Sequence, residues 1–215
     1  ADVGLAFDGD ADRVFLVDDL GQTLGGFITV ALVAQSLLSK FPGESIVYNL
    51  ICSHSVPETI EKMGGKAIRT RVGHSFIKQV MADSGAIFGG EHSGHYYFRD
   101  NFKADSGLIA ALMVLEVIAN SGQKLSELRK QYENYSQSGE VNSRVSNVKT
   151  AMERVKDSFK DLKIDELDGL TVESADWWCN VRPSNTEPLI RLNVEADTRE
   201  LCEQKTRELL EVIRE

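Results

Sequence analysis

Two kinds of hydrophobic pattern alternate along the first two thirds of the chain. Short apolar runs, such as 45–50 and 67–72, have the length and the bounding turn residues of buried strands. Longer stretches with helical spacing, such as 27–41, lie between them and end at Pro or Gly. Strands that alternate with helices indicate a mostly parallel sheet covered by helices. The predicted strands are 3–7, 14–17, 45–50, 67–72 and 86–89, and the predicted helices are 27–41, 57–63, 75–83, 105–120 and 125–135.

The last third of the chain has a different arrangement. The segment 134–139 is polar and unpatterned, which predicts a linker. Asp197 and Glu200 have the spacing of a capping box and predict the start of the last helix. We therefore expect an α/β fold, with a mixed, mostly parallel sheet domain flanked by helices and followed by a small α+β domain. The predicted strands after the linker are 140–145, 170–174, 177–181 and 189–195, and a further helix is predicted at 150–159.

Composition and charge limit the kinds of partner that the protein is expected to bind. The chain has 215 residues, of which 42% are hydrophobic and 27% are charged, a mixture typical of folded globular proteins. The 24 basic residues are outnumbered by 33 acidic residues, and the net charge of −9 opposes general binding to nucleic acids or anionic membranes. We therefore expect neither nucleic acid nor a membrane as a partner.

Cysteine content and the start of the chain give two further expectations. Cys52, Cys179 and Cys202 are too far apart for a zinc motif or a disulfide framework, which favours a reducing, cytoplasmic location. No segment has the run of about 18 apolar residues that a membrane span requires. Because the first residues already have a strand pattern and no initiator Met is present, we expect a further part of the protein upstream.

The segment DGDADR places three carboxylates at alternate positions in a turn between two predicted strands. Carboxylates this close repel one another, and a hard cation such as Mg²⁺ or Ca²⁺ stabilises them. The sequence therefore predicts a cation site formed by Asp8, Asp10 and Asp12. An EF-hand loop does not fit, because its glycine would fall on Arg13 and its terminal glutamate on Asp19. A solvated acidic turn is the alternative interpretation.

A second polar loop, GGEHSGH at 89–95, follows a predicted strand. Open α/β sheets bind ligands at the carboxyl ends of their strands. Glu91 can accept hydrogen bonds from two neighbouring hydroxyls and Ser93 can accept or donate one, so the loop suits a hydroxyl-rich substrate such as a sugar. A simple polar turn is the alternative interpretation.

A third loop, between two predicted strands near the C-terminus, has the composition of a phosphate site. Arg182 supplies a guanidinium, Ser184 and Thr186 supply hydroxyls, and Asn185 supplies an amide. Arg191 follows early in the next predicted strand. The loop lacks the consensus of a nucleotide-binding P-loop, so a triphosphate is not favoured. A turn bracketed by prolines is the alternative interpretation.

The segment RTRVGH at 69–74 runs from a predicted strand into a predicted helix. The imidazole of His74 can take up or release a proton near neutral pH, which makes it a candidate acid or base. A structural role for a single histidine at a strand end is the alternative interpretation.

Together these motifs give the chain a close resemblance to the α-D-phosphohexomutase superfamily, and within it to the bacterial phosphomannomutase/phosphoglucomutase branch. DGDADR resembles the metal loop of that family, GEHSGHYYFRD its sugar loop and RPSNTEPLIR its phosphate loop, and TRVGH lies in the matching place between them. The resemblance implies three segments: 1–21 is the end of a second domain with the metal loop, 22–135 is an α/β third domain, and 139–215 is an α+β fourth domain.

The resemblance also implies a reaction. In the family, a phosphoserine donates its phosphoryl group to a hexose phosphate, a hexose 1,6-bisphosphate turns over in the site, and mannose or glucose 6-phosphate is interconverted with its 1-phosphate. The resemblance implies Mg²⁺ on Asp8, Asp10 and Asp12 and catalytic roles for Arg13 and His74. The substrate-binding residues that it implies are Glu91, Ser93 and His95 for the sugar and Arg182, Ser184, Asn185, Thr186 and Arg191 for the phosphate that is not transferred.

Two differences from the family pattern limit what this chain is expected to do alone. The family's phosphoserine loop has no match in the sequence, because Ser53 in the segment CSHS is not followed by Asn-Pro. Ile51 stands where relatives often have a lysine that contacts substrate. We therefore expect an inactive C-terminal part of a mutase, whose partner is the missing N-terminal part of the same chain. A non-catalytic sugar-phosphate-binding protein and a phosphoglucosamine mutase are the alternatives.

Overall fold

A computed structural model describes residues 1–184 and 187–215 of the chain. These residues form two compact units, Ala1–Asn134 and Tyr135–Glu215. Each unit has a hydrophobic core of its own, so each is a self-contained packing arrangement.

The first unit begins with a hairpin of two short strands, β1 (Gly4–Phe7) and β2 (Val14–Val17), which pair antiparallel. Its other strands are β3 (Ser45–Asn49), β4 (Lys66–Thr70), β5 (Phe88–Gly90), β6 (Tyr96–Phe98) and β7 (Ala104–Asp105). Its helices are α1 (Gly26–Lys40), α2 (Ser55–Lys62), α3 (His74–Ser84), α4 (Gly107–Ser121) and α5 (Leu125–Leu128), with short 3₁₀ turns at Arg99–Asn101 and Arg129–Tyr132.

The five strands that follow the hairpin form one mixed sheet in the order β4-β3-β5-β6-β7. β3 pairs in parallel with β4 and with β5, as the alternation of strands and helices predicts. β6 and β7 extend the sheet in the antiparallel direction. These two strands are not among those predicted from the sequence, because two or three residues are too few to show an alternating pattern.

Helices cover both faces of this sheet. Neighbouring side chains of a strand point to opposite faces, and on β3 and β6 residues of both sets are fully buried. Ile46 and Tyr96 belong to the core that α1, α2 and α4 share, whereas Val47 and Tyr97 pack with Ile77 of α3 on the other face. The unit is therefore a three-layer arrangement of helices, sheet and helix.

The second unit is smaller and combines an antiparallel sheet with two helices. Its strands lie in the order β10-β11-β12-β13-β8, and β9 also pairs with β13. The predicted fold class, an α/β domain followed by a small α+β domain, is confirmed. The elements are β8 (Ser136–Gln137), β9 (Val141–Arg144), α6 (Val148–Ser158), β10 (Lys163–Asp165), β11 (Leu170–Glu173), β12 (Trp177–Pro183), β13 (Leu189–Ala196) and α7 (Arg199–Arg214).

The structure corrects three local predictions. The predicted linker contains the strand Ser136–Gln137, which pairs with β13 although it has no apolar residue to signal a strand. Helix α7 is capped by Thr198 rather than Asp197, because the Thr198 hydroxyl accepts the N–H of Leu201 at 3.2 Å. The predicted helix 125–135 is a single α turn followed by a 3₁₀ turn.

No single helix among the described residues combines the length and the hydropathy needed to cross a membrane. The helical segments Gly107–Ser121 and Leu125–Tyr132 together have enough length and hydropathy to span a membrane, but this comparison considers length and composition alone. The chain bends by 92° between the two segments.

Candidate functional site

The predicted metal loop joins β1 to β2. It is anchored on one side by Val14 of β2, which is fully buried in the core of the first unit. Asp8, Asp10 and Asp12 each present a carboxylate oxygen, and these oxygens lie within 4.8 Å of one another. An all-oxygen donor set of this kind suits a hard cation such as Mg²⁺. The structure therefore brings the three predicted ligands together.

Arg13 closes the metal loop by binding its first carboxylate. Its Nε donates to Asp8 Oδ2 at 2.6 Å, and its backbone N–H donates to Asp8 Oδ1 at 3.3 Å. The hydrogen bond from Arg13 lowers the pKa of Asp8 below its usual value. Burial raises the pKa of Asp12, an effect that His95 opposes and that the neighbouring carboxylates reinforce. The loop thus concentrates negative charge, which the Arg13 guanidinium offsets in part.

The sugar loop lies directly against the metal loop within the first unit. Arg13 and His95 form an isolated antiparallel bridge, and the N–H of Val14 donates to the carbonyl oxygen of Gly94 at 3.3 Å. His95 Nε2 is 3.7 Å from Asp12 Oδ2. A displacement of either loop therefore moves groups of the other.

Two helix starts hold these loops in place. Gly26 is the first residue of α1, and a Cβ atom there would lie 2.2 Å from the carbonyl oxygen of His92. Gly107 is the first residue of α4, and a Cβ atom there would lie 2.7 Å from the carbonyl oxygen of Arg13. Both distances are far below van der Waals contact, so only glycine permits the observed loop positions.

Glu91 of the sugar loop is buried, with only 2% of its surface exposed. Its Oε1 accepts hydrogen bonds from the Gly73 N–H at 3.0 Å and from Asn49 Nδ2 at 3.4 Å. Its Oε2 accepts a hydrogen bond from the Tyr97 hydroxyl at 2.8 Å. The carboxylate is therefore oriented by protein donors on both oxygens. The sequence alone does not indicate these donors.

The other predicted residues of this region lie close to Glu91. Ser93 Oγ is 3.1 Å from His95 Nδ1, and that nitrogen is 3.8 Å from Glu91 Oε2. His74 is the first residue of α3, is exposed, and follows directly on Gly73, which donates to Glu91. The structure thus brings Glu91, Ser93 and His95 together beside the metal loop and places His74 one residue from the Glu91 network.

The predicted phosphate loop of the second unit is built on paired arginines. Arg182 on β12 lies opposite Arg191 on β13 in the strand register. Arg182 Nη2 donates to Glu140 Oε2 at 3.0 Å, and Arg191 Nη1 donates to Glu140 Oε1 at 2.7 Å. Two forked cations side by side suit a phosphate, which carries several acceptor oxygens.

Ser184 lies directly after β12, where its backbone N–H donates to the carbonyl oxygen of Leu189 at 2.8 Å. This bond joins the residue after β12 to the first residue of β13. Asn185 and Thr186, which the sequence analysis predicts in the same site, lie outside the described residues. Their role in phosphate binding stays a prediction.

Three side chains that the sequence analysis does not select contact predicted site residues. Asn49 and Tyr97 contact Glu91, and Glu140 contacts both arginines of the phosphate loop. The position of Asn49 at the carboxyl end of a predicted parallel strand was an available signal, since ligands bind at that edge of a sheet. Tyr97 and Glu140 offer no comparable signal, because their partners are set by strand register.

Sequence comparisons connect the chain to known proteins. The family model of phosphoglucomutase/phosphomannomutase, alpha/beta/alpha domain III, matches residues 26–135, and that of phosphoglucomutase/phosphomannomutase, C-terminal domain, matches residues 140–212. The phosphomannomutases of Methanocaldococcus jannaschii and Escherichia coli K12 are 45% and 41% identical to this chain. The alignments cover 99% and 100% of this chain but 47% and 48% of those enzymes. The chain therefore spans about half the length of the curated relatives that it matches.

Solved structures agree with this assignment. A phosphoglucomutase/phosphomannomutase family protein from Burkholderia thailandensis matches with a TM-score of 0.86 and 29% identity, over 99% of this chain and 47% of its own. The N-acetylphosphoglucosamine mutase of Aspergillus fumigatus, solved with GlcNAc-6P and magnesium, has the same fold, with a TM-score of 0.76 and 16% identity over 98% of this chain and 48% of its own. Because family models match both structural units, the chain belongs to the phosphoglucomutase/phosphomannomutase family.

Proposed function

We propose that this chain supplies the C-terminal half of a phosphohexomutase that interconverts the 6-phosphates and 1-phosphates of mannose or glucose. The observation that carries the proposal is the contact between the metal and sugar loops, where the Arg13–His95 bridge joins a cluster of three carboxylates to sugar-binding groups. The names of the similar phosphomannomutases support a hexose phosphate as substrate. In this proposal, residues 1–21, 22–135 and 139–215 are the end of a second domain, a third domain and a fourth domain.

Each loop has a separate task in the proposed reaction. Asp8, Asp10 and Asp12 hold Mg²⁺, which when bound offsets the negative charge of the phosphoryl group that is transferred. Arg13 is beside these carboxylates and adds a fixed positive charge for the same group. The sugar hydroxyls are bound by Glu91, Ser93 and His95, and His74 moves the proton of the reacting hydroxyl.

The phosphate that is not transferred is bound by the loop of the second unit. Arg182 and Arg191 supply charge-assisted hydrogen bonds, and Ser184, Asn185 and Thr186 supply neutral donors. In the proposal, binding of this phosphate orients the hexose. Phosphoryl transfer depends mainly on such alignment and on charge stabilisation.

The phosphoserine of the proposed reaction belongs to the N-terminal half of the enzyme, and a hexose 1,6-bisphosphate is the intermediate. Ser53 is unsuited to that task, because it is 1% exposed and hydrogen-bonded to Ser55. We therefore expect this 215-residue chain to bind hexose phosphates without turning them over.

Titration calorimetry and a coupled mutase assay test the proposal on the 215-residue chain. We expect mannose 6-phosphate or glucose 6-phosphate to bind more tightly than inorganic phosphate, and glucosamine 6-phosphate to bind less well than either. We expect no turnover of glucose 1-phosphate in an assay that contains both Mg²⁺ and a trace of added glucose 1,6-bisphosphate. Absence of hexose-phosphate binding contradicts the function, and turnover by this chain contradicts its dependence on an N-terminal serine. Preference for glucosamine 6-phosphate points to a phosphoglucosamine mutase instead.

A further inference from the structure

Tyr97 is a polar residue in a largely apolar layer, although the Lys78 ammonium lies 5.3 Å from the centre of its ring. Its side chain is fully buried on β6 and packs with Ile77 and Met81 of α3. A phenylalanine fills almost the same volume, so packing explains the ring of Tyr97 but not its hydroxyl. A buried hydroxyl is costly unless it has a partner. Its partner here is Glu91 Oε2, at 2.8 Å.

The direction of this hydrogen bond is fixed by protonation. Burial raises the pKa of Tyr97 above its usual value, and the adjacent Glu91 carboxylate raises it further. The tyrosine therefore keeps its proton and donates to Glu91. A hydrogen bond to a charged acceptor is stronger than one between neutral groups, and it is strongest where water is excluded.

The other oxygen of Glu91 connects the same network to two more segments. Oε1 accepts the Gly73 N–H at 3.0 Å, and Gly73 has φ 128°, a conformation that favours glycine. Asn49 Nδ2 contacts the same oxygen at 3.4 Å, while Asn49 Oδ1 accepts the His92 N–H at 3.4 Å. One carboxylate therefore links the end of β3, the turn before His74 and the sugar loop.

We propose that Tyr97 is a positioning residue for sugar recognition: its hydroxyl holds Glu91 in the orientation that aligns the Gly73 turn and the sugar loop. The inference rests on the proposed function, since Glu91 is the group proposed to bind the sugar. In this proposal Tyr97 itself does not contact the substrate, because its side chain is fully buried. Loss of the Tyr97 hydroxyl lets the Glu91 carboxylate rotate. The rotation weakens the hydrogen bond from the Gly73 N–H and moves the carboxylate oxygens away from the orientation that accepts hydrogen bonds from sugar hydroxyls.

The test compares Tyr97→Phe with Tyr96→Phe. Tyr96 is an equally buried neighbour on the same strand, but it faces the other core and its hydroxyl donates to the carbonyl oxygen of Val14 at 3.3 Å. The first readout is the NMR signal of the Gly73 amide in the ligand-free 215-residue chain, with its hydrogen-exchange rate. The second is the affinity for mannose 6-phosphate and for inorganic phosphate, measured by calorimetry.

We expect Tyr97→Phe, and not Tyr96→Phe, to shift the Gly73 amide signal and to speed its exchange. We expect mannose 6-phosphate to bind about 3- to 10-fold more weakly, the range for loss of one hydrogen bond, with the affinity for inorganic phosphate unchanged. In a Glu91→Gln background, Tyr97→Phe should change these quantities much less, because the two residues act together.

An unchanged Gly73 amide in Tyr97→Phe overturns the proposal, and so does unchanged affinity for mannose 6-phosphate. Equal loss of affinity for inorganic phosphate overturns it too, because the effect is then general rather than confined to the sugar. Failure of the unmodified chain to bind mannose 6-phosphate is a failure of the proposed function. It is distinguishable because the Gly73 amide, read without ligand, still reports whether Tyr97 orients Glu91.

Discussion

Arg182 and Arg191 lie directly opposite each other on neighbouring antiparallel strands, and one carboxylate, that of Glu140, binds both. Like charges in such cross-strand positions repel and are destabilising unless an anion lies between them. Glu140 supplies one negative charge against two positive ones. These three side chains therefore keep a net positive charge, which supports the proposed binding of a phosphate.

We expect Glu140→Gln to increase the affinity for inorganic phosphate by about 2- to 5-fold. The substitution keeps the shape of the side chain but removes a charge that competes with phosphate for both guanidinium groups, an interaction of about 0.5–1 kcal/mol at a partly exposed pair. Calorimetry with phosphate measures the change. Weaker binding by Glu140→Gln would show that Glu140 orients the arginines rather than competing with the ligand.

We expect Arg182→Ala to weaken hexose-phosphate binding by about 1.5–3 kcal/mol, the range for a hydrogen bond to a charged group. Arg199→Ala is the matched control, because Arg199 is in the same unit but is exposed and pairs with Glu203 on α7. Calorimetry with mannose 6-phosphate gives both values. Equal affinities of the two variants would remove Arg182 from the proposed phosphate site.

We expect Mg²⁺ to bind weakly or not at all to the 215-residue chain. A cation at the metal loop must compete with Arg13, whose Nε already donates to Asp8 at 2.6 Å. Arg13→Gln removes this competition and should therefore strengthen Mg²⁺ binding. Calorimetric titration of both proteins is the measurement, and tight stoichiometric binding to the unmodified chain contradicts the prediction.

We expect Gly26→Ala to lower the free energy of unfolding by about 1–3 kcal/mol, as overpacking of a well-packed site does. The added methyl group would lie 2.2 Å from the carbonyl oxygen of His92, so the sugar loop must move. Gly9→Ala is the control for stability, because a Cβ atom there has no neighbour within 4 Å among the described residues. Urea unfolding measures the free energy of unfolding of both variants. Equal free energies for Gly26→Ala and Gly9→Ala would contradict the prediction.

We expect acid to weaken the fold in part through Asp18. Burial alone would raise the pKa of Asp18, but hydrogen bonds from the Gln22 N–H, the Arg129 guanidinium and the Leu20 N–H outweigh it and lower the pKa. A carboxyl whose folded-state pKa is lowered stabilises the protein above its unfolded pKa of about 3.9. That stabilisation is lost as the pH falls from about 4 through the lower folded-state value.

Asp18→Asn tests this prediction. The variant should be less stable than the unmodified chain at pH 7 and should lose less of its melting temperature between about pH 4 and pH 2. Thermal melts over that pH range measure both effects. Parallel melting profiles for the two proteins would contradict a role for Asp18 ionisation.

Long periodic elements and the chemistry of the loops were predictable from the sequence. α1 and β3 are found within two residues of their predicted bounds, because each has a strong apolar pattern between turn residues. The short strands β6, β7 and β8 were not predictable, since their existence depends on pairing with neighbours distant in the chain.

The arrangement inside the site was less predictable than its residues. Glu91 is predicted from the sequence as a sugar ligand, but its donors Gly73 and Asn49 are 18 and 42 residues away. Glu140 is separated from Arg182 by 42 residues and from Arg191 by 51. Contacts of this kind are created by sheet register and loop closure, which no local pattern of residues encodes.

The close approach of Gly26 to His92 makes one position informative for uncharacterised members of the family. A relative with any side chain at the position of Gly26 must route the backbone of its sugar loop differently, because the carbonyl oxygen found here leaves no room for a methyl group. The amino acid at the first turn of this helix can therefore sort unassigned sequences into groups with the same or a different loop path before any of them is purified.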